Sequence, residues 1–297
     1  MADAPVYVSD PAAAVVRLLA LLDLEPIEAD LFRGASVNPG WPRVYGGQVV
    51  AQALMAASRT VRADRLAHSL HAYFLRPGDP AAPIVYQVTR ERDGTSFATR
   101  HVAAIQHGRP IFTLTASFQV HEGGFDHAAA MPRVAAPALL KNDHELFLAH
   151  ADATPEPWRT QWAERDRPIE FRPVEPHDPF KPKKHKPVAH HWLRLAAPHA
   201  ADPVVARCLL AYASDMTLLD TCLLPHGVPW SDPALQAASI DHSIWFHATP
   251  DLDQWHLFAQ DSPRASGSRG INRGLLFATD GQLVASVAQE GLIRYRG

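Results

Sequence analysis

The chain has 297 residues, 47% of them hydrophobic and 20% charged, with a formal net charge of −3. That length suits two domains of roughly 120 residues, the balance is that of a globular protein, and the charge offers no basic field for nucleic acid. No apolar run reaches the roughly 18 residues of a membrane helix and the N-terminus lacks the apolar segment of a secretion signal, so a soluble, cytoplasmic protein with no nucleic-acid and no membrane partner is expected.

Asp10-Pro11 opens the first predicted helix, with Asp10 as cap and Pro11 at the first helical position. Val15, Val16, Leu18, Leu19 and Leu22 give it an apolar face. A loop with Gly34, Pro39, Gly40 and Pro42 follows. From Gln48 to Ala57 the chain is apolar on nearly every side, which marks a buried helix. Gly46-Gly47 stand at its N-terminus, where backbone N–H groups have no helical acceptor. They read equally as an anion cradle and as a site of close packing.

Strands are expected at His68–Leu75, Ile84–Arg90, Ser96–Gln106 and Ile111–Val120, the last two joined by a turn at Gly108. One buried helix followed by about four antiparallel strands is an α+β order that fits the hotdog arrangement, a central helix wrapped by the sheet, while composition alone also permits other α+β folds. Ten prolines between Pro132 and Pro187 rule out a continuous sheet or long helix there. Trp158 and Trp162 indicate that this segment packs down rather than floating free. The basic run Lys181-Pro182-Lys183-Lys184-His185-Lys186 reads as a solvated loop, with contact to substrate phosphates as the alternative. Cys208 and Cys222 lack metal-ligand spacing and read as buried thiols.

The second half echoes the first. His68-Ser69-Leu70 returns as His242-Ser243-Ile244, 174 positions on; Arg100 returns as Arg273 and Gly108 as Gly281, 173 positions on. Helical material at Val204–Leu224 and strands at 238–249, 254–262, 269–279 and 282–294 complete a second unit. The expected organisation is therefore 1–122, an N-terminal hotdog unit; 123–189, a proline-rich linker; and 190–297, a C-terminal hotdog unit. Two such units protect their edges by joining their sheets side by side. The repeat also isolates candidate chemistry. Asp215 stands before an apolar segment as Gly46-Gly47 do, Gln289 falls opposite Ala116, and Ser239 opposite Arg65 or Leu66. The first copy lacks these three polar groups, and packing roles survive in both copies where catalytic ones need survive in one. Asp215 also reads as a helix N-cap, where a carboxylate stays ionised. Ser239 also reads as a plain strand hydroxyl, and Gln289 as a satisfied structural amide. Asp241, His242 and Ser243 form no compact triad, because adjacent strand residues face opposite ways. His68 is a candidate for lining the site. No nucleophile elbow, metalloprotease helix, Walker loop or dinucleotide fingerprint occurs, and His190-His191 alone is a weak metal signal.

Taken together, Arg43–Val50, His68–Gly78, Asp93–Phe97, Pro110–Gln119, Ser214-Asp215, Ile240–His247 and Gln289-Glu290-Gly291 resemble the type II acyl-CoA thioesterases, the double-hotdog thioesterases. The resemblance runs from Leu18 to Arg294. It implies hydrolysis of acyl-CoA to free fatty acid and CoA with no cofactor and no metal, in a homo-oligomer. It places the family's catalytic aspartate on Asp215 and its catalytic glutamine on Gln289. The family's usual threonine is here Ser239, which keeps the hydroxyl and loses the methyl that restricts it. A water held by Ser239 and Gln289 and deprotonated by Asp215 is the expected nucleophile. Backbone N–H groups at the helix N-terminus, Gly47 among them, are the expected oxyanion donors, and Gly46, Gly47, Gln48 and His68 are the wider substrate-binding set. A hotdog-fold enoyl-CoA hydratase and a non-catalytic acyl-CoA-binding protein are the alternatives.

Overall fold

The computed structural model describes residues 10–36, 42–154 and 156–297. The N-terminal residues 1–9, and Pro39 and Gly40 of the expected loop, lie outside the described residues. Helix α1 (Pro11–Leu22) starts as its cap chemistry requires, with the Asp10 carboxylate accepting from the Ala12 N–H at 3.0 Å. Its buried face is Ala14, Val15, Leu18 and Leu22, whereas Val16 points outward. Strands β1 (Glu25–Glu28) and β2 (Leu31–Gly34) form a short hairpin. Helix α2 (Gly46–Ser58) is buried from Gly47 through Ala57, in accord with its all-round apolar sequence.

Four long strands wrap α2: β3 (Arg65–Phe74), β4 (Ile84–Asp93), β5 (Phe97–Gln106) and β6 (Arg109–Val120). Each alternates inward and outward side chains along its core-facing stretch, the period-2 pattern of a half-buried sheet. The proline-rich stretch then packs down as short pieces. These include α3 (Asp143–Leu148), with an Asn142–Glu145 capping box, and α4 (Trp158–Glu164). Phe147 of α3 stacks on Trp162 of α4 with ring centroids 5.7 Å apart. Within the same stretch the chain re-enters the sheet as β7 (Ile169–Pro173), and β8 (Val188–Leu195) begins before residue 190. Helix α5 (Pro203–Ser214) is capped by Asp202, followed by one 3-10 turn at Leu219–Cys222. Strands β9 (Leu235–Ser239), β10 (Asp241–Phe246), β11 (His256–Ser266), β12 (Arg269–Ala278) and β13 (Leu283–Tyr295) close the chain.

All thirteen strands among the described residues belong to one antiparallel sheet, ordered β1-β2-β4-β5-β6-β3-β10-β13-β12-β11-β8-β7, with β9 continuing beside β13. The order is palindromic. The first unit's β3, β6, β5, β4 and β2 are matched outward from the centre by β10, β13, β12, β11 and β8. The two units meet at β3–β10, paired from Ser69↔Trp245 to Tyr73↔Asp241, so each covers the other's open edge. This is the expected double hotdog. On the concave side α2 and α5 pack together, and one continuous core draws on both helices and both half-sheets, including Leu54, Leu114, Leu209, Ile244 and Val287. The α2 N-terminus thereby meets the α5 C-terminus, where a Cβ on Gly47 would run into the Tyr212 carbonyl.

Candidate active site

Asp215 is the C-cap of α5, with φ −84° and ψ −11°. It is therefore no N-cap of its own helix, and it does not correspond to Gly46-Gly47, which begin a helix rather than end one. It lies against the N-terminus of the other unit's helix, and the Gly47 backbone N–H bonds its carboxylate. Strand β13 brings Gln289, whose Nε2 donates to Asp215 Oδ1 at 2.5 Å. Strand β9 brings Ser239, whose Oγ lies 3.5 Å from the same oxygen, a long contact. The sheet thus gathers all three residues onto one carboxylate. Oδ1 is taken by side chains, and Oδ2 lies over Gly46, where a Cβ would come within 2.6 Å of it and 3.0 Å of the Phe74 ring. The two readings of the glycines merge here: close packing is what lets a backbone N–H reach the carboxylate.

The Asp215 side chain is 5% exposed. Burial pushes its carboxyl up to about 6, against the pull of the Gln289 and Gly47 N–H groups, the Ser239 hydroxyl and the Arg43 charge. The helix N-terminus therefore does not hold it in the ordinary carboxylate range, because desolvation outweighs the hydrogen bonds. Asp215 and Ser239 open onto a cavity of about 980 Å³. Gly46 and Gln48 line it, as do Phe147, Trp162 and Phe180 of the proline-rich segment. Gln289 stands behind the wall, fully buried.

Other expected residues are placed differently. The Gln48 side chain donates to the Ala35 carbonyl at 3.1 Å, so it ties α2 to the chain after β2 while its surface faces the cavity. His68 is not on the cavity wall. Its Nε2 pairs with Ser117 Oγ at 2.8 Å and its ring meets Phe97 edge-on. The Asp241-His242-Ser243 trio is split as strand alternation demands: Asp241 accepts from the Glu290 N–H, Ser243 faces His71, and His242 turns inward.

Inward-facing His242 is a site residue that the motif reading missed. It is fully buried, contacts Gln289 and Ser214, and lies 3.9 Å from Asp215 Oδ1. Its parity with Ile244 and Phe246 was the available signal. Asp220 was missed as well. It lines the cavity, accepts from Trp230, and burial pushes its carboxyl up to about 7. Single acidic residues in apolar turns carry no motif, so nothing marked it.

The pairing also corrects the internal repeat. The interruption at Ile240, between β9 and β10, matches the bulge beside His68 in β3. That match sets the offset between these strands at 172, not 174. Ser239 then overlies Ala67, not Arg65 or Leu66, and His242 overlies Leu70. Gln289 stays over Ala116, and Asn272, not Arg273, overlies Arg100. Arg100 and Asn272 are both buried, whereas Arg273 is exposed beside Asp261. In the first unit Arg100 fills the place that the polar cluster occupies in the second. Its N–H groups reach Thr60 Oγ1, the Thr60, Arg92 and Thr99 carbonyls and Asp93.

Residues 159–292 match the family model described as acyl-CoA thioesterase, and residues 37–119 the one described as acyl-CoA thioesterase N-terminal domain. The chain is 44% identical to acyl-CoA thioesterase 2 of Haemophilus influenzae over 279 residues, covering 94% of this chain and 97% of that one. It is 40% identical to human acyl-coenzyme A thioesterase 8 over 289 residues, covering 95% and 90%. Among solved structures, acyl-CoA thioesterase II TesB2 of Mycobacterium marinum superposes with a TM-score of 0.77 at 38% identity, covering 94% of this chain and 99% of that one.

Proposed function

Because the chain belongs to the acyl-CoA thioesterase family, we propose that it hydrolyses acyl-CoA to a free fatty acid and CoA with Asp215 as general base. Its class, a thioester hydrolase, follows from membership; the assignment of roles is our reading. The observation that carries it is the convergence of Ser239 and Gln289 on Asp215 Oδ1 at the wall of the 980 Å³ cavity. With Oδ1 engaged from behind, Oδ2 is the oxygen left to take a proton from water. That water forms its bond to the thioester carbonyl carbon as a proton passes to Asp215. Collapse of the tetrahedral adduct breaks the C–S bond, and the thiolate leaves and takes up a proton.

The Gly47 N–H is spent on Asp215. We therefore assign oxyanion stabilisation to the N–H groups of Gly46 and Gln48, which also lie in the first turn of α2 and belong to residues that line the cavity. Gln289 acts on the carboxylate and leaves the water to Ser239. The acyl chain occupies the cavity, which the proline-rich segment 123–189 between the expected units 1–122 and 190–297 helps to line, although its β7 and the start of its β8 belong to the second unit's half of the sheet. We also assign the chain to a homo-oligomer, supported by Tyr73 and Trp245, which stand exposed on the outer side of the β3–β10 seam. Two unpaired cysteines, both buried, support residence in the cytoplasm.

The test is release of free thiol from acyl-CoAs of short to long chain, with Asp215→Asn run beside the parent. General-base assistance contributes roughly 10²–10⁴-fold, so Asp215→Asn is expected to lose activity by that order. Hydration of an enoyl-CoA without thiol release, or tight binding with no turnover, would replace the reading.

A further inference from the structure

His242 has no part in the proton transfer proposed above, yet it is fully buried against two of the residues that do. Its partners determine its protons. Ser214 Oγ lies 3.1 Å from the Ala211 carbonyl, which can only accept, so the single hydroxyl proton goes there. Toward His242 Nε2, 2.9 Å away, Ser214 Oγ can then only accept, and Nε2 must carry a hydrogen. Burial holds the imidazole neutral, its pKa lowered to about 3. A neutral ring with a proton on Nε2 presents a bare lone pair at Nδ1. Gln289 Nε2 is 3.0 Å from that lone pair and 2.5 Å from Asp215 Oδ1. An amide NH₂ has two hydrogens, and these are its two acceptors. Turning the amide over would set Oε1 against a carboxylate oxygen and an imidazole lone pair together.

We infer that His242 is a positioning residue: as the Nε2–H tautomer, held by Ser214, it accepts from Gln289 at Nδ1 and keeps the Gln289 amide nitrogen aimed at Asp215. Nothing about His242 requires contact with substrate or water, since it lies behind Gln289, which itself lies behind the cavity wall. The chain Ala211–Ser214–His242–Gln289–Asp215 orients each donor by the one before it, and its effect ends at the catalytic carboxylate. The inference rests on Asp215 being the base.

Two substitutions separate positioning from packing. His242→Asn keeps an amide oxygen near the place of Nδ1. His242→Gln puts its amide near the place of Nε2 and leaves Gln289 without that acceptor. A hydrogen bond to a charged group is worth enough to change a rate about 10- to 100-fold. We expect His242→Gln to lower kcat by that factor with KM little changed, and His242→Asn to retain most of kcat. Equal losses in the two folded variants, or none in His242→Gln, would overturn the positioning role. Asp215→Asn in the same assay keeps the two claims apart. If it stays active the base assignment falls; if it is inactive while His242→Gln is unimpaired, only the role of His242 falls. A readout independent of turnover is the ¹⁵N spectrum of histidine-labelled protein near neutral pH. A proton on Nε2 and a hydrogen-bonded, unprotonated Nδ1 are expected at His242, and a proton on Nδ1 would refute the inference without reference to catalysis.

Discussion

Asp215 is costly to keep ionised. Its carboxyl sits near 6 in the fold against an ordinary value of 3.8, with burial the largest cause. As a base it must be deprotonated, so kcat/KM should fall as pH drops through about 6 and level off above 7; a profile flat down to pH 4.5 would contradict it. The stability effect has the opposite sign. A carboxyl whose pKa is raised on folding costs stability increasingly between its unfolded and folded values, and the full cost persists above pH 6. The shift corresponds to something on the order of 3 kcal/mol. Asp215→Asn, which can still accept from Gln289, should therefore raise Tm at pH 8 while removing turnover, a trade of activity for stability measurable by calorimetry. Ser239 contributes less: with its Oγ at 3.5 Å, Ser239→Ala should lower kcat about 2- to 10-fold. At this scale the repeat placed only Gln289 correctly, over Ala116; its registers for Asp215 and Ser239 were off, and those two were marked by the family resemblance. His242 was missed, because the tripeptide match His-Ser-Leu to His-Ser-Ile set the register two residues off, and a strand bulge is not written in composition.

The elements that make the site are the α2 N-terminus, the α5 C-terminus and the β9–β13 pairing. Gly46→Ala should test the first: its methyl would press on Asp215 Oδ2 and the Phe74 ring, so activity should drop at least as far as in Ser239→Ala while the folded state survives. In the other unit Arg100 is the structural counterweight. It is 1% exposed and satisfied by acceptors on three segments. Arg100→Leu would orphan the buried Thr60 carbonyl and hydroxyl that its guanidinium satisfies, so a loss of about 2 kcal/mol in denaturant unfolding is expected. Lys, lacking the fork, should not restore it. Long strands and both buried helices were legible from alternation and all-round apolarity. The short pieces were not. In β1, Glu-Pro-Ile-Glu is exposed throughout and shows no alternation. In β7, Ile169 and Phe171 do alternate inward, but Pro168 just before it and Pro173 at its end disguise a strand at the sheet's outer edge, where proline is tolerated. Helix α3, with its Asn142–Glu145 capping box, is too short for periodicity to register.

At the scale of the whole molecule, the β3–β10 seam and the α2–α5 contact make one core of two units. Residues 1–122 expressed alone would expose the β3 edge and the helix face that α5 covers, so the fragment should aggregate rather than fold, and the full chain should unfold in a single transition. Two separable transitions would show that the halves are independent. The palindromic sheet was legible as a repeat, but its consequence needed the structure: each end of the helix pair is built from both halves, and the cluster of Asp215, Ser239 and Gln289 lies at one end. The peptide link is what permits that asymmetry. Two identical chains assembled by symmetry would carry the same residues at both ends, and their shared site would fall apart on dilution. Joined in one chain, the halves meet at an effective concentration fixed by the tether, whatever the bulk amount. One end can therefore hold the Asp215 cluster while the other holds Arg100, an arrangement that two identical copies related by symmetry could not have.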